Sequence, residues 1–198
     1  PERKIVHNYL SERGDVETHS EGDEPDRRLV DAARDEEYPH AIWSAISLLR
    51  WGRQVGDAHA VDVATRYAPD MLDTVRGRPV RTSESVGRGF FSPVHLAVLL
   101  AADLGREDAA DLAAPIAEQG LIDSDEMPTV HSAGLNFSRA WGTYAAWRAT
   151  RDDDWRERYA RLVLGHGAMP SRWRDDYDRY GHWIPQFGIF AIAESVDG

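Results

Sequence analysis

Trp43-Ser44-Ala45-Ile46, Phe91-Ser92-Pro93-Val94 and Phe137-Ser138-Arg139-Ala140 are three versions of one short text, and Trp183-Ile184 begins a fourth. The four leading aromatic residues are separated by 48, 46 and 46 residues, and each opens an apolar run. A period of this length is that of a helical hairpin stacked on copies of itself. The expected fold is therefore all-α, with repeated α/α hairpins forming a partial (α/α) toroid. Its main rival is an irregular helical bundle without a central cavity, in which the recurring aromatics are plain core.

Working outward from these anchors, His40 to Val55 is apolar nearly all round and reads as a mostly buried helix ended by Gly56. A partner helix starts at Ala58 and points Val61, Val63, Ala64, Tyr67 and Leu72 inward, with Pro69 breaking or restarting it. In the second repeat Ser92-Pro93 is a helix cap followed by proline at the first helical position, and Gly105 lies just past the helix end. Its return helix is expected from Glu107 to Gly120, with Glu107 and Asp108 favoured near the positive end of the helix dipole. The third repeat starts near Leu135 and sets Trp141, Tyr144 and Trp147 on one face, which reads first as core. Asp152 to Asp154 open its return helix, whose buried side is expected from Tyr159, Leu162, Val163 and Leu164. The fourth repeat has a first helix over roughly Ile184 to Glu194.

Residues 11–28 are rich in Glu, Asp, Gly and Ser and cannot bury enough apolar surface to order themselves. The expected organisation is a polar N-terminal arm over 1–37, with a short helix from Asp26 to Arg34, and an α/α-hairpin domain over 38–198. A chain of 198 residues with 42% hydrophobic content suits one globular unit. Its 34 acidic against 23 basic residues give a net charge of −11, which disfavours nucleic acid or an anionic membrane as a partner. Lys4 is the single lysine, and the acids are largely aspartate. This resembles the bias of salt-loving, high-GC archaea, with high-GC coding alone as the plainer source. The absence of cysteine excludes disulfides and thiolate chemistry. No apolar run could span a bilayer, and Pro1-Glu2-Arg3-Lys4 leads into no apolar segment, so the expectation is a cytoplasmic protein.

Val130-His131-Ser132-Ala133-Gly134-Leu135-Asn136-Phe137-Ser138-Arg139-Ala140-Trp141, followed by Tyr180-Gly181-His182-Trp183-Ile184-Pro185-Gln186-Phe187, resembles an uncharacterised prokaryotic domain-of-unknown-function family. That family carries a His-Leu-Asp-Gly-Leu-Asn-Leu-Ser-Arg-Ala-Trp block and a later Glu-His-Trp-Leu-x-x-Phe block. Gly89-Phe90-Phe91-Ser92-Pro93 is similar to its Asp-Phe-Leu-Ser-Pro segment, and the likeness covers roughly residues 38–194. The resemblance implies a toroid of α/α hairpins, an architecture shared by many sugar-active enzymes, with no assigned activity. Ala133, Gly89 and Gly181 stand where the family has Asp, Asp and Glu, so three carboxylates suited to acid or base work are absent. The chain reads as a divergent, shortened member from which a full six-hairpin ring is not expected.

If the inner helices start at equivalent points, their N-termini open on one end, and the residues around each recurring aromatic line one mouth. Those residues are His40, Arg88, Asn136, Arg139, Tyr180, His182 and Trp183, with His131 and Glu84 on adjoining loops. Free N–H groups at helix starts favour an anion, and Arg88 and Arg139 could grip a carboxylate. The sharpest expectation is a small acidic or sugar-like ligand bound by Arg139, Asn136, Arg88, His40, Glu84 and Trp183. His182, Tyr180 and His131 are then the candidate catalytic groups for elimination or epimerisation next to a carboxylate. Each has a plainer reading. Asn136 could cap the third repeat, Arg139 could pair with Glu84 or Asp178, His131 could bond backbone, and His182 could meet a carbonyl in the core. A glycosidase would need a second carboxylate beside Glu84, and no histidine spacing supports a metal site at His131, His166 and His182. No cofactor is implied. The competing class is a non-enzymatic helical scaffold, a homo-oligomer subunit that uses the exposed face of the fourth repeat.

Overall fold

The computed structural model describes residues 40–78, 80, 90–123, 129, 131–169, 176, 178, 180 and 183–196. These form helices α1 (His40–Val55), α2 (Ala58–Val75), α3 (Pro93–Asp103), α4 (Ala109–Ala113), α5 (Leu135–Thr150), α6 (Asp153–Ala168) and α7 (Ile184–Val196). A 3₁₀ turn over Ala114–Ile116 extends α4, and another over His131–Gly134 leads into α5. Among the described residues there is no strand, and the fold is all-α.

The boundaries follow local chemistry. Gly56 takes φ +76° after α1, and the Asp57 carboxylate accepts from the His59 and Ala60 N–H groups at the start of α2. Asp152 does the same for Asp154 N–H at α6. At the end of α3, Gly105 N–H donates to Ala102 O and Arg106 N–H to Ala101 O, a Schellman pair that needs the left-handed φ of +66° at Gly105.

Three expectations are corrected. Helix α2 runs unbroken through Pro69, because that residue is exposed and the carbonyl it leaves without a donor, at the exposed Thr65, can meet water. The return helix of the second repeat is α4 plus a 3₁₀ turn, since Pro115 lacks the N–H that an α-helix would use there. At its start Asp108 makes no side-chain cap and is held by Arg106 and Arg76 instead. Leu164 is 71% exposed, because it lies two residues beyond buried Leu162 and so on the opposite side of α6.

Helices α1, α3, α5 and α7 form the inside of the molecule, with α2 packed on α1, α4 on α3 and α6 on α5. Trp43 stacks on Phe91 at 5.6 Å and on Trp141 at 4.8 Å, and meets Phe190 edge-on at 5.1 Å. Phe187 closes the group against Phe91 and Trp141, and the Trp141 indole N–H donates to Phe187 O at 3.1 Å. Rings thus occupy the space between the inner helices where a toroid would have its bore. Such pairs add about 0.5–1.5 kcal/mol each beyond the area they bury.

The C-terminal ends of the same four helices are joined by charge. Arg50 of α1 pairs with Asp103 of α3 and Glu194 of α7, and Arg148 of α5 reaches both acids, at 2.6 Å and 3.9 Å. The acid side chains are only 4% and 5% exposed. Each charge therefore has two opposite neighbours, the arrangement that best offsets the desolvation of a buried ion. Helices α3 and α5 approach each other closely at Gly142, where a Cβ would overlap the His95 carbonyl and stand 2.7 Å from the His95 C and Cα atoms.

Candidate functional site

Gly134 holds the cap position of α5, which places Asn136 inside the helix, fully buried. Its amide uses every hydrogen-bonding position it has. Oδ1 accepts from Ile122 N–H at 3.1 Å and from Arg139 Nη1 at 3.1 Å, while Nδ2 donates to Ile122 O at 2.7 Å and to His166 Nδ1 at 3.1 Å. Asn136 is thus a clamp on the main chain at Ile122, and it leaves no donor or acceptor for a ligand. Its donation requires the proton of the His166 ring to sit on Nε2. His166 is buried and meets Phe137 edge-on at 4.4 Å.

One helical turn on, Arg139 is 1% exposed. Its Nη1 donates to Asn136 Oδ1 and its Nη2 to Gln119 Oε1 at 2.8 Å, whereas Nε is buried without a partner. Both acceptors are neutral amides. Among the described residues no carboxylate pairs with Arg139, and Asp178 is exposed. Burial pushes the guanidinium down to about 10. A histidine that feels this charge is also neutral. His95 is buried with Nδ1 at 2.8 Å from Ser92 Oγ, and burial, then the Arg139 charge, holds its pKa well below the usual imidazole range. A buried cation among neutral groups costs several kcal/mol.

Gln119 connects this cation to the surface. It lines a groove of about 540 Å³, with Glu118, Gly120 and Leu121 beside it and Arg158, Arg161, Leu162, Leu164 and Gly165 of α6 opposite. Leu121 rests on Gly165, where a Cβ would come within 2.8 Å of it. Arg158 donates to Ala117 O and fixes one end of the groove wall, and the clamp on Ile122 fixes the other. The groove combines an apolar floor with two arginines at its edge and a third behind Gln119.

Of the residues expected at the mouth of the repeats, the structure brings Arg139 and Asn136 into contact. Trp183 is buried with Phe137, Ala133 and Ile184, and Tyr180 and Phe90 pack against that cluster. Arg88, Glu84 and His182 lie outside the described residues, as do the side chains of His40 and His131. Sequence reasoning did not find Gln119, Arg158 or the groove. They lie on a segment between helices and on the outer face of α6, away from the recurring aromatics.

A family model described as the R3H domain matches residues 1–30, outside the described residues and outside the helical repeats. No curated protein and no solved structure matches the chain. Among the described residues no helix is long and apolar enough to cross a membrane.

Proposed function

We propose that the protein binds a small acidic ligand of the sugar-acid class in the groove between residues 118–121 and α6, with Arg139 receiving its carboxylate. The observation that carries this reading is the buried guanidinium whose partners are Gln119 and Asn136 and no counter-charge among the described residues. A carboxylate that turns Gln119 aside would replace a neutral acceptor with a charged one, a hydrogen bond roughly twice as strong. Arg158 and Arg161 raise the local potential for an anion, Leu121 and Leu162 offer an apolar wall to the carbon skeleton, and Glu118 supplies an acceptor for a hydroxyl. Arg139 also lies in the block that carries the family resemblance. The reading is one of binding and assigns no reaction.

The test is a thermal-shift series on the full chain with glucuronate, gluconate, glucose 6-phosphate and glucose, in 0.15 M and 1 M KCl. A ligand at a hundred times its Kd stabilises by about 2.7 kcal/mol, which in a chain of this size raises Tm by about 5–10 °C. The expected result is a shift with the acids, none with glucose, and none for Arg139→Met. A protein that serves only as a helical subunit would ignore all four compounds, and that outcome would overturn the proposal.

A further inference from the structure

The groove beside α6 holds more positive charge than one carboxylate uses. Segment 117–121 is pinned along α6 at two points, since Arg158 donates to Ala117 O and Leu121 rests on Gly165. Gln119 is the middle residue of that segment, and 161–162 is the middle of the span from Arg158 to Gly165. Gln119, with Arg139 behind it, therefore stands abreast of Arg161 and Leu162 across the groove. On α6, Arg158, Arg161, Leu162 and Gly165 follow the three- and four-residue spacing of a single face. Arg139 thus marks the inner wall of the groove and Arg161 its outer edge.

The two edge arginines of α6 are not equivalent. Arg158 spends a donor on Ala117 O and holds the wall. Arg161 is exposed, and among the described residues it makes no hydrogen bond and no ion pair, not even with Glu157 one turn earlier. Three arginines and one acid, Glu118, line or back the groove, an excess of two positive charges in a chain whose net charge is −11. Such a chain repels anions from most of its surface, so a local excess of two selects for a ligand with two negative charges. We infer that the ligand is doubly anionic, a polyhydroxy acid whose carboxylate meets Arg139 and whose second anionic group, a phosphate or a second carboxylate at the far end of the carbon chain, meets Arg161. The inference rests on the reading of the groove as a sugar-acid site and adds the number and placement of the ligand's charges. Arg161 is then a specificity-determining residue. A guanidinium takes either anionic group through two parallel N–H donors, so it selects for a charge at that place, while Leu121 and Leu162 lie between the two cations against the carbon skeleton.

Isothermal titration of the full chain in 0.15 M KCl with gluconate, glucarate and 6-phosphogluconate tests this. At least one of the two dianions should bind the parent about 10-fold or more tighter than gluconate, one charge-assisted contact being worth that much. Tighter binding of glucarate would make the second group a carboxylate and tighter binding of 6-phosphogluconate a phosphate, and either supports the inference. Arg161→Gln, at an exposed position, should erase that advantage while weakening gluconate by no more than about 3-fold. Arg156→Gln removes the same charge from α6 outside the groove and should leave all three affinities unchanged. Dianions that bind no tighter than gluconate, or an equal loss in both variants, would overturn the inference and leave the single-carboxylate site standing. Binding of none of the three compounds would overturn both.

Discussion

Replacing Arg139 with methionine removes the charge and the two hydrogen bonds while keeping most of the unbranched stem. Two opposing effects set the outcome. Burial holds the guanidinium down to about 10, which corresponds to about 3 kcal/mol of burial penalty relative to a solvated arginine, and the substitution relieves it. Against this stand the bonds to Asn136 and Gln119, each worth about 1.5 kcal/mol or somewhat more for a charged donor. Neither acceptor is stranded, because Asn136 Oδ1 keeps Ile122 N–H and half-buried Gln119 can reach water. The variant should thus unfold within about 1 kcal/mol of the parent, on either side. An arginine with a buried counter-charge would instead cost about 3–5 kcal/mol on removal. Urea unfolding followed by tryptophan fluorescence reads the difference, and an unchanged m-value confirms that the same transition is compared. A loss of 3 kcal/mol or more would refute the reasoning, since it would mean that Arg139 already has its counter-charge and is a structural ion.

Two further substitutions test the packing and the electrostatics. Gly142→Ala should lower stability by about 3 kcal/mol through overpacking against the His95 main chain, read as a fall in Tm of about 6–12 °C; helix propensity alone predicts a gain of about 1 kcal/mol. The Asp108 carboxyl is held down to about 2, first by its hydrogen bond to Arg106 and then by Arg76. A depressed folded-state value means stability present above pH 4 and lost as pH falls toward 2. Asp108→Asn should therefore cost about 1 kcal/mol at pH 7, after discounting for its partly exposed partners, and only a small part of that at pH 2, where the carboxyl is about half protonated; an equal cost at both pH values in urea unfolding would contradict this.

Much of the fold could be read because the inner helices carry their signals in local chemistry. Ser92-Pro93, Gly105 and Asp152 mark helix ends, and these ends lie where expected, although the Ser92 hydroxyl makes no cap and meets His95 Nδ1 instead. What failed depended on tertiary surroundings. Pro69 is tolerated because of its exposure, and Leu164 faces solvent because one side of α6 is covered. The charge ring could have been anticipated in part, since Asp103, Arg148 and Glu194 follow their repeat aromatics by 12, 11 and 11 residues. Arg50 follows Trp43 by only 7, which breaks the pattern. For the site, the sequence singled out Arg139 as a cation near the start of the third repeat. Its lack of a counter-charge among the described residues is a three-dimensional fact, and Gln119 sits where no periodicity points.

The claim that Arg139 is kept for an anion is tested most directly by isothermal titration of the full chain and of Arg139→Met with glucuronate and with gluconate. The account predicts saturable binding of at least one acid to the parent and at least a 10-fold loss of affinity in the variant. Equal affinity for the acid in both proteins, or no binding to the parent, would contradict it.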